Sequence, residues 1–258
     1  MFDISASIVL FHNDRLVLRK AIDSILNVNL NLSLFLFDNS KNDDLHDIIS
    51  DDRVIYFYNN KNVGFGKGHN YAINFYKHKS IFHIVINPDI YFYPGNIEKM
   101  YSFMISNKKI GLLMPKIKYP NNEIQYLCKK NPTPHILFVR RFLSFKIFSK
   151  YVSYVNHKYE FRDLDYNNLI FNVPYLSGCF MFFRMNALNE IGYFDERIFM
   201  YIEDADITRR MLLKYNTIYY PFAEVYHHFE KGSHKSYRLM MYSIHGAIVY
   251  FNKWGWFN

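Results

Sequence analysis

Ile4-Ser5-Ala6-Ser7-Ile8-Val9-Leu10-Phe11, followed at once by Asn13-Asp14, is the stretch from which the fold can be read. An apolar run of this length with little polar interruption reads as a strand buried on both faces. Asn13-Asp14 then offers a side-chain oxygen to cap a helix whose inward face takes Leu16, Ala21, Ile22, Ile25 and Leu26. The unit recurs downstream: Leu32–Phe37 is expected as a strand, Asp43–Ile49 as a short helix, Val54–Tyr58 as a strand, Gly66–Tyr76 as a helix and Ile81–Ile86 as a fourth strand. Such alternation predicts an α/β fold with a mostly parallel sheet flanked by helices. Sheets of that kind take ligands outside the carboxyl ends of their strands. Further on, Asn96–Ser106 reads as a helix, and Ile110–Tyr119 with Glu123–Leu127 as a strand pair around Pro120-Asn121-Asn122.

The 258 residues carry 31 Lys or Arg against 23 Asp or Glu, and half are apolar. Aromatic residues at 19% supply too much apolar surface for a disordered chain. One domain over 1–258 is expected, with no repeat, low-complexity tract or Ser/Gly linker to divide it. The best apolar stretch, Phe171 to Phe183, is broken by Asn172, Pro174 and Ser177 and falls short of the ~18 residues a membrane span needs. Cys128 and Cys179 make no disulfide framework and no zinc site, so a cytoplasmic setting is expected, with both thiols as small core groups. The charge is concentrated: Lys129 to Arg162 holds eight Lys or Arg and one acid, with Phe138, Phe142, Phe145 and Phe148 at near-helical intervals among Arg140, Arg141, Lys146 and Lys150.

Three expected strand ends carry polar groups. Asp38-Asn39-Ser40 follows the second, Asn59 to Asn70 with Gly64, Gly66 and Gly68 follows the third, and Asn87-Pro88-Asp89 follows the fourth. Glycines ahead of a helix let backbone amides approach an anion such as a diphosphate. Between Asp195 and Asp206, five carboxylates (Asp195, Glu196, Glu203, Asp204, Asp206) lie within twelve residues. Acids there would favour the positive end of a helix starting near Glu203, but packed among Phe199, Tyr201 and Ile202 they also fit a cleft that tunes carboxylates. A late strand, Glu224–His228, delivers His227 and His228; paired with an acid such as Asp89, a histidine there could complete an oxygen and nitrogen site for a divalent ion.

Read in order, these motifs, together with Phe11-His12-Asn13, Ser177-Gly178-Cys179-Phe180 and Gly192-Tyr193-Phe194, resemble the inverting family 2 glycosyltransferases, from about Ser5 to Ser236. The similarity is greatest to their bacterial rhamnosyltransferase-like branch. The resemblance implies a GT-A fold, in which a nucleotide-sugar-binding half, 1–106, is fused to an acceptor-binding and catalytic half, 107–258, containing the basic aromatic segment 129–162. It implies that Asp38 with Asn39 meets the base, that Asn62, Gly64 and Phe65 line the nucleotide or diphosphate pocket, and that Asn70 supports it. Asn87-Pro88-Asp89 stands where the family has Asp-x-Asp, with only the last acid kept, so Asp89 becomes the principal carboxylate ligand of a Mg²⁺ or Mn²⁺ ion. His227 is its partner, with His228 as the neighbouring alternative. Asp204 matches the general base, and Glu203 and Asp206 support it.

The implied activity is transfer of a sugar, rhamnose from dTDP-rhamnose, to a hydroxyl of a lipid-linked bacterial surface polysaccharide such as O-antigen or capsule, at the inner face of the membrane. A UDP-sugar such as UDP-galactose or UDP-galactofuranose is the alternative donor. A nucleotidyltransferase lacks support because no glycine-rich loop with a catalytic Lys or Arg stands near the amino terminus. A processive synthase would need membrane spans and Gln-x-x-Arg-Trp, and Gln125 is the only glutamine. The net charge of +8 also suits a nucleic-acid binder, but that reading leaves the acid cluster unexplained, so no nucleic-acid partner is expected.

Overall fold

The computed structural model describes residues 1–143, 145–228 and 237–256. Ser236, the far end of the resemblance, and the Lys146 side chain lie outside the described residues. The strands are β1 (Phe2–Leu10), β2 (Leu32–Asp38), β3 (Val54–Tyr58), β4 (Ser80–Ile86), β5 (Ile90–Tyr91), β6 (Ile110–Lys118), β7 (Cys128–Lys129), β8 (Ile170–Phe171), β9 (Tyr175–Leu176), β10 (Phe180–Arg184) and β11 (Asn216–His227). The helices are α1 (Arg15–Leu26), α2 (Phe65–Tyr76), α3 (Asn96–Ser106), α4 (Pro134–Phe142), α5 (Ser149–Tyr159), α6 (Met185–Ile191), α7 (Glu203–Leu212) and α8 (Tyr237–Trp254).

One sheet runs through the molecule in the order β3-β2-β1-β4-β10-β6-β11-β5, with β8 added beside β11. The first four strands are parallel, as is the β6–β11 pair, while β10 runs antiparallel between β4 and β6. Because β10 enters from the opposite direction, its first residues lie at the same sheet edge as the last residues of β2, β4 and β11. The sheet is thus mostly parallel, as expected, and flanked by helices. β2 is buried along its whole length and β1, β4 and β6 over most of theirs, which matches their largely apolar sequences. A second ribbon pairs β7 with β9, setting Lys129 beside Tyr175.

Four local expectations are corrected. Leu16 is 82% exposed, because it lies two residues before buried Leu18 and therefore about 200° around the helix from the face of Ala21, Ile22 and Ile25. Asp43–Ile49 forms turns and no helix: Leu45 and Ile48 bury one side, but seven residues with four polar groups gain too little to offset nucleation. Glu123–Leu127 forms no strand and makes only the bridge from Ile124 to Lys118. The Phe138–Phe148 stripe is not one helix, since α4 ends at Phe142 and a 3-10 turn at Lys146–Phe148 precedes α5.

Candidate active site

Asp204 occupies the first turn of α7, and its carboxylate is held from two sides. The Gly178 N–H donates to Oδ2 at 2.8 Å and the Tyr175 hydroxyl donates to Oδ1 at 3.0 Å. A Cβ on Gly178 would come within 3.0 Å of the Asp204 Cβ and 3.3 Å of Oδ2, so a larger residue would push on the carboxylate. The Lys129 ammonium sits 4.6 Å from the Tyr175 ring centroid, its pKa lowered by burial and partly restored by the charge of Asp204. Glu203 is buried, with one carboxyl oxygen, Oε2, without a hydrogen-bond partner. Burial first, and the neighbouring Asp204 charge second, push its carboxyl well above the usual carboxylate range.

The backbone entering α7 is strained. Tyr201 and Ile202 both adopt left-handed conformations, at φ of 71° and 70°, and a β-branched residue is costly there. The turn is pinned by α8, where Gly246 approaches so closely that a Cβ would meet the Tyr201 carbonyl oxygen at 2.8 Å. Asp206 faces the other way. Fully buried, it accepts from Arg210 Nε at 2.9 Å, Trp254 Nε1 at 2.7 Å and Lys253 Nζ at 2.8 Å, tying α7 to α8.

Gly178-Cys179 links Asp204 to the end of β4, since the Asn87 N–H donates to the Cys179 carbonyl oxygen at 2.9 Å. Two residues on, Asp89 Oδ1 lies 3.4 Å from Nε2 of His227, the last residue of β11. His227 Nδ1 meets Oε1 of buried Gln125 at 3.0 Å, which turns Nε2 towards the acid. Burial alone would depress this imidazole, but hydrogen bonding to Asp89 and to Cys179 outweighs it and lifts the group to about 10. The His228 ring is exposed and lies against Tyr91, while its N–H donates to the Asp89 backbone carbonyl. Only His227 therefore turns its ring to the Asp89 carboxylate. One carboxylate and one imidazole suit Mg²⁺ or Mn²⁺ when diphosphate and water complete the shell. Among the described residues no group of three His, Cys, Asp or Glu stands ready to hold a metal.

The loop between β3 and α2 is held by side-chain amides of Asn39 and Asn62. Asn62 Oδ1 accepts from the Gly64 N–H at 2.9 Å, and Asn39 grips the loop twice, donating to the Gly64 carbonyl and accepting from Val63 N–H. Gly64 has φ of 92°, and a Cβ there would strike the Phe199 carbonyl oxygen at 2.3 Å. That same oxygen accepts from the Phe65 N–H at 3.0 Å, so this loop and the turn before α7 are docked together. Asp38 is fully buried and takes the Tyr56 hydroxyl at 2.7 Å and the Ser40 N–H at 2.8 Å. Asn70 is also buried and clamps Phe194 through both its N–H and its carbonyl.

The structure thus gathers Asp204, Glu203, Asp89 and His227 around Gly178-Cys179, and Asn39, Asn62, Gly64 and Phe65 around Phe199. Asp206 and Asn70 face protein. Sequence reading missed Tyr175, 29 positions from the carboxylate it holds, and Gln125, 102 positions from His227. A shallow groove of about 540 Å³ beside α3, lined by Glu98, Lys99 and Phe103, lies apart from all these groups.

Comparison with known proteins bears on this arrangement. Residues 7–192 match the sequence profile of Glycosyl transferase family 2. Over 146 residues the chain is 28% identical to the N-acetylglucosaminyl-diphospho-decaprenol L-rhamnosyltransferase of Mycobacterium tuberculosis, an alignment covering 56% of this chain and 46% of that protein. The chain therefore matches about half the length of this curated relative. Among solved structures, GalNAc-T7 with UDP, GalNAc and Mn²⁺ superposes with a TM-score of 0.64 at 12% identity over 90% of this chain and 44% of that one. TarS of S. aureus superposes with a TM-score of 0.58 at 15% identity, over 88% of this chain and 37% of that one. At these identities the two structures speak for the fold, a GT-A fold as the sequence led us to expect.

Proposed function

The chain belongs to glycosyl transferase family 2, and from that premise we propose that it is an inverting, metal-assisted rhamnosyltransferase acting on a lipid-linked glycan of a bacterial surface polysaccharide, O-antigen or capsule. One observation carries the reading: the Asp204 carboxylate, held by Tyr175 and Gly178, is linked through Cys179 and Asn87 to Asp89 and His227 at a single sheet edge. A group that takes a proton and a pair that holds a cation are thereby set side by side.

In this mechanism the acceptor hydroxyl attacks the anomeric carbon on the face opposite the nucleotide diphosphate. Asp204 removes the hydroxyl proton as the new bond forms, and the anomeric carbon–oxygen bond to the diphosphate breaks. Three donors fix the Asp204 carboxylate, the Tyr175 hydroxyl and the Ala205 N–H on Oδ1 and the Gly178 N–H on Oδ2, which leaves Oδ2 a lone pair with which to take the proton. Burial disfavours the charged form of Glu203 and so works against a second negative charge beside the base. Asp89 and His227 would hold Mg²⁺ or Mn²⁺, the ion taking the place of the imidazole proton that Asp89 otherwise stabilises, and when bound it would neutralise charge on the departing diphosphate. Residues 1–106 would carry the nucleotide, with Asp38 and Asn39 at the base and Asn62, Gly64 and Phe65 near the diphosphate. Residues 107–258 would carry acceptor and base.

The named activity of the M. tuberculosis relative supports rhamnosyl transfer to a diphospho-polyprenol-linked sugar. The Mn²⁺ in the GalNAc-T7 structure supports a cation. A lipid-linked acceptor places the work at the cytoplasmic face of the membrane. The test is thermal shift with dTDP-rhamnose, UDP-galactose and UDP-galactofuranose, each with Mn²⁺ or with EDTA. A donor at a hundred times its Kd should add about 2.7 kcal/mol of stability. dTDP-rhamnose with Mn²⁺ should stabilise most, and Asp89→Ala should abolish the metal-dependent part. Stabilisation by a UDP-sugar alone would replace the donor, and stabilisation by none would overturn the reading.

A further inference from the structure

Two exposed apolar faces flank the catalytic turn, and glycosyl transfer itself uses neither. The first lies on α4, the following 3-10 turn and α5. There Phe138, Phe142, Phe145, Ile147 and Tyr154 are exposed, Ile147 at 85%, next to Arg141 and Lys150. The second is the outer stripe of α8, where Tyr237, Met241, Ile244 and Ile248 recur at four, three and four residues and are all exposed. At about 100° per residue these four fall on one narrow face, opposite Gly246, the residue that packs against Tyr201. The two faces belong to one body: Ile136 and Leu137 of α4, Tyr159 of α5 and Tyr250 and Phe251 of α8 share a buried cluster with Tyr175, Ile202 and Ala205 around Asp204.

The charge beside them is positive. Arg140 and Arg162 are paired with Glu160, and Lys158 with Asp163. Even with Asp163 and Asp165 counted, 129–165 keeps eight Lys or Arg against three acids. Aromatic and aliphatic side chains beside surplus cations match an anionic phospholipid surface: the cations meet headgroups while rings and aliphatic tips enter the interface. Among the described residues no helix is long and apolar enough to cross a membrane, so attachment through these helices would be in the plane of the surface.

We propose that the α4–α5 aromatic face and the outer stripe of α8 together form a bilayer-docking surface. It holds the Asp204 turn at the headgroup level, where the sugar of a lipid-linked acceptor stands. The proposal rests on the lipid-linked acceptor argued above, but its test needs neither donor nor acceptor, so either can fail alone. The full chain is floated with phosphatidylglycerol-containing vesicles and with phosphatidylcholine vesicles, at low and high salt. The expected result is binding to the anionic vesicles that weakens with salt, as the attraction is screened over about a Debye length. Phe145→Glu with Ile147→Glu, and separately Met241→Glu with Ile244→Glu, should each reduce binding roughly tenfold or more, since each removes two inserted side chains and adds two negative charges. These residues lie outside the catalytic machinery, so circular dichroism and Tm should stay at wild-type values. Wild-type flotation by either pair overturns the two-part surface. So does absence of wild-type binding at low salt, or a dimer by light scattering that the same substitutions dissociate while vesicle binding is nil.

Discussion

Asp206→Asn separates the architecture of α7 from its chemistry. The native carboxylate is fully buried between Arg210, Lys253 and Trp254. The substitution keeps shape and one acceptor for the Trp254 N–H, but it turns an amide towards two cations. Removing one member of a buried ion pair costs about 3–5 kcal/mol because the remaining charge loses its compensation. Two features favour the lower end: Arg210 keeps its bonds to the carbonyls of Ile191, Gly192 and Tyr193, and Lys253 can lean to Asp195, already 3.7 Å away. A loss of about 3 kcal/mol corresponds to a Tm fall of about 6–12 °C for a chain of this size. The exposed pair Arg19–Asp23 is the control, where Asp23→Asn should cost only about 0.3–0.5 kcal/mol. Thermal unfolding by circular dichroism reads both, and turnover is measured well below the lowered Tm. A Tm loss for Asp206→Asn no larger than that of Asp23→Asn would refute the reasoning, as would a dead enzyme of unchanged stability.

Other perturbations reach different parts of the account. Gly178→Ala presses a methyl against Asp204, which must give by a few tenths of an ångström; since about 1 Å of misplacement costs about a hundredfold in rate, kcat should fall by several-fold to about tenfold with little change in Tm, and an unchanged kcat would count against the Gly178–Asp204 contact. Gly64→Ala combines a glycine-only backbone conformation, about 1–3 kcal/mol of strain, with the collision at Phe199; calorimetry should show weakened donor binding, and wild-type affinity would contradict the docked loop. Burial holds the His69 and His83 imidazoles neutral, His83 near 3. With unfolded values of about 6.5, their contribution is complete from about pH 7.5 upward and is lost as pH falls, by about 2 kcal/mol for His83 at pH 5 and in the same direction for His69. Urea unfolding at pH 6.5 and pH 5 should show the loss; the raised His227 contributes its full amount below about 6.5 and loses it only as pH rises towards 10, so it changes little between these two values, and equal stabilities would oppose the account.

Much of the fold was legible because four strands are largely apolar runs with few polar residues, as burial on both faces demands. Misreadings came where local pattern competed with little else. Leu45 and Ile48 gave Asp43–Ile49 the look of a helix, yet one turn with two anchors cannot sustain one. Glu123–Leu127 alternates like a strand but pairs only at Ile124. The α8 helix went unread although Tyr237, Met241, Ile244 and Ile248 spell its outer face. In the site, motif order led to Asp204, Asp89 and His227, whereas the groups that orient them do not follow from local pattern. Tyr175 reaches Asp204 from the β7–β9 ribbon, and Gln125 reaches His227 from a loop after β6; both depend on tertiary pairing that no spacing records. Burial also distinguishes Glu203, whose ionisation it suppresses, in a way that a run of neighbouring acids conceals.

The most direct measurement is the transfer rate of Asp204→Asn, taken with its donor affinity and beside Asp206→Asn. The amide preserves shape and keeps one accepting oxygen, so it can satisfy only one of the Gly178 and Ala205 N–H groups, and it cannot take a proton. Turnover should fall by about 10²–10⁴, the usual contribution of a general base, while Kd for the donor with Mn²⁺ stays at the wild-type value. Asp206→Asn should keep most of its turnover and lose stability. If Asp204→Asn turns over near the wild-type rate while Asp206→Asn is inactive and folded, the base is the wrong carboxylate and the account of this site fails.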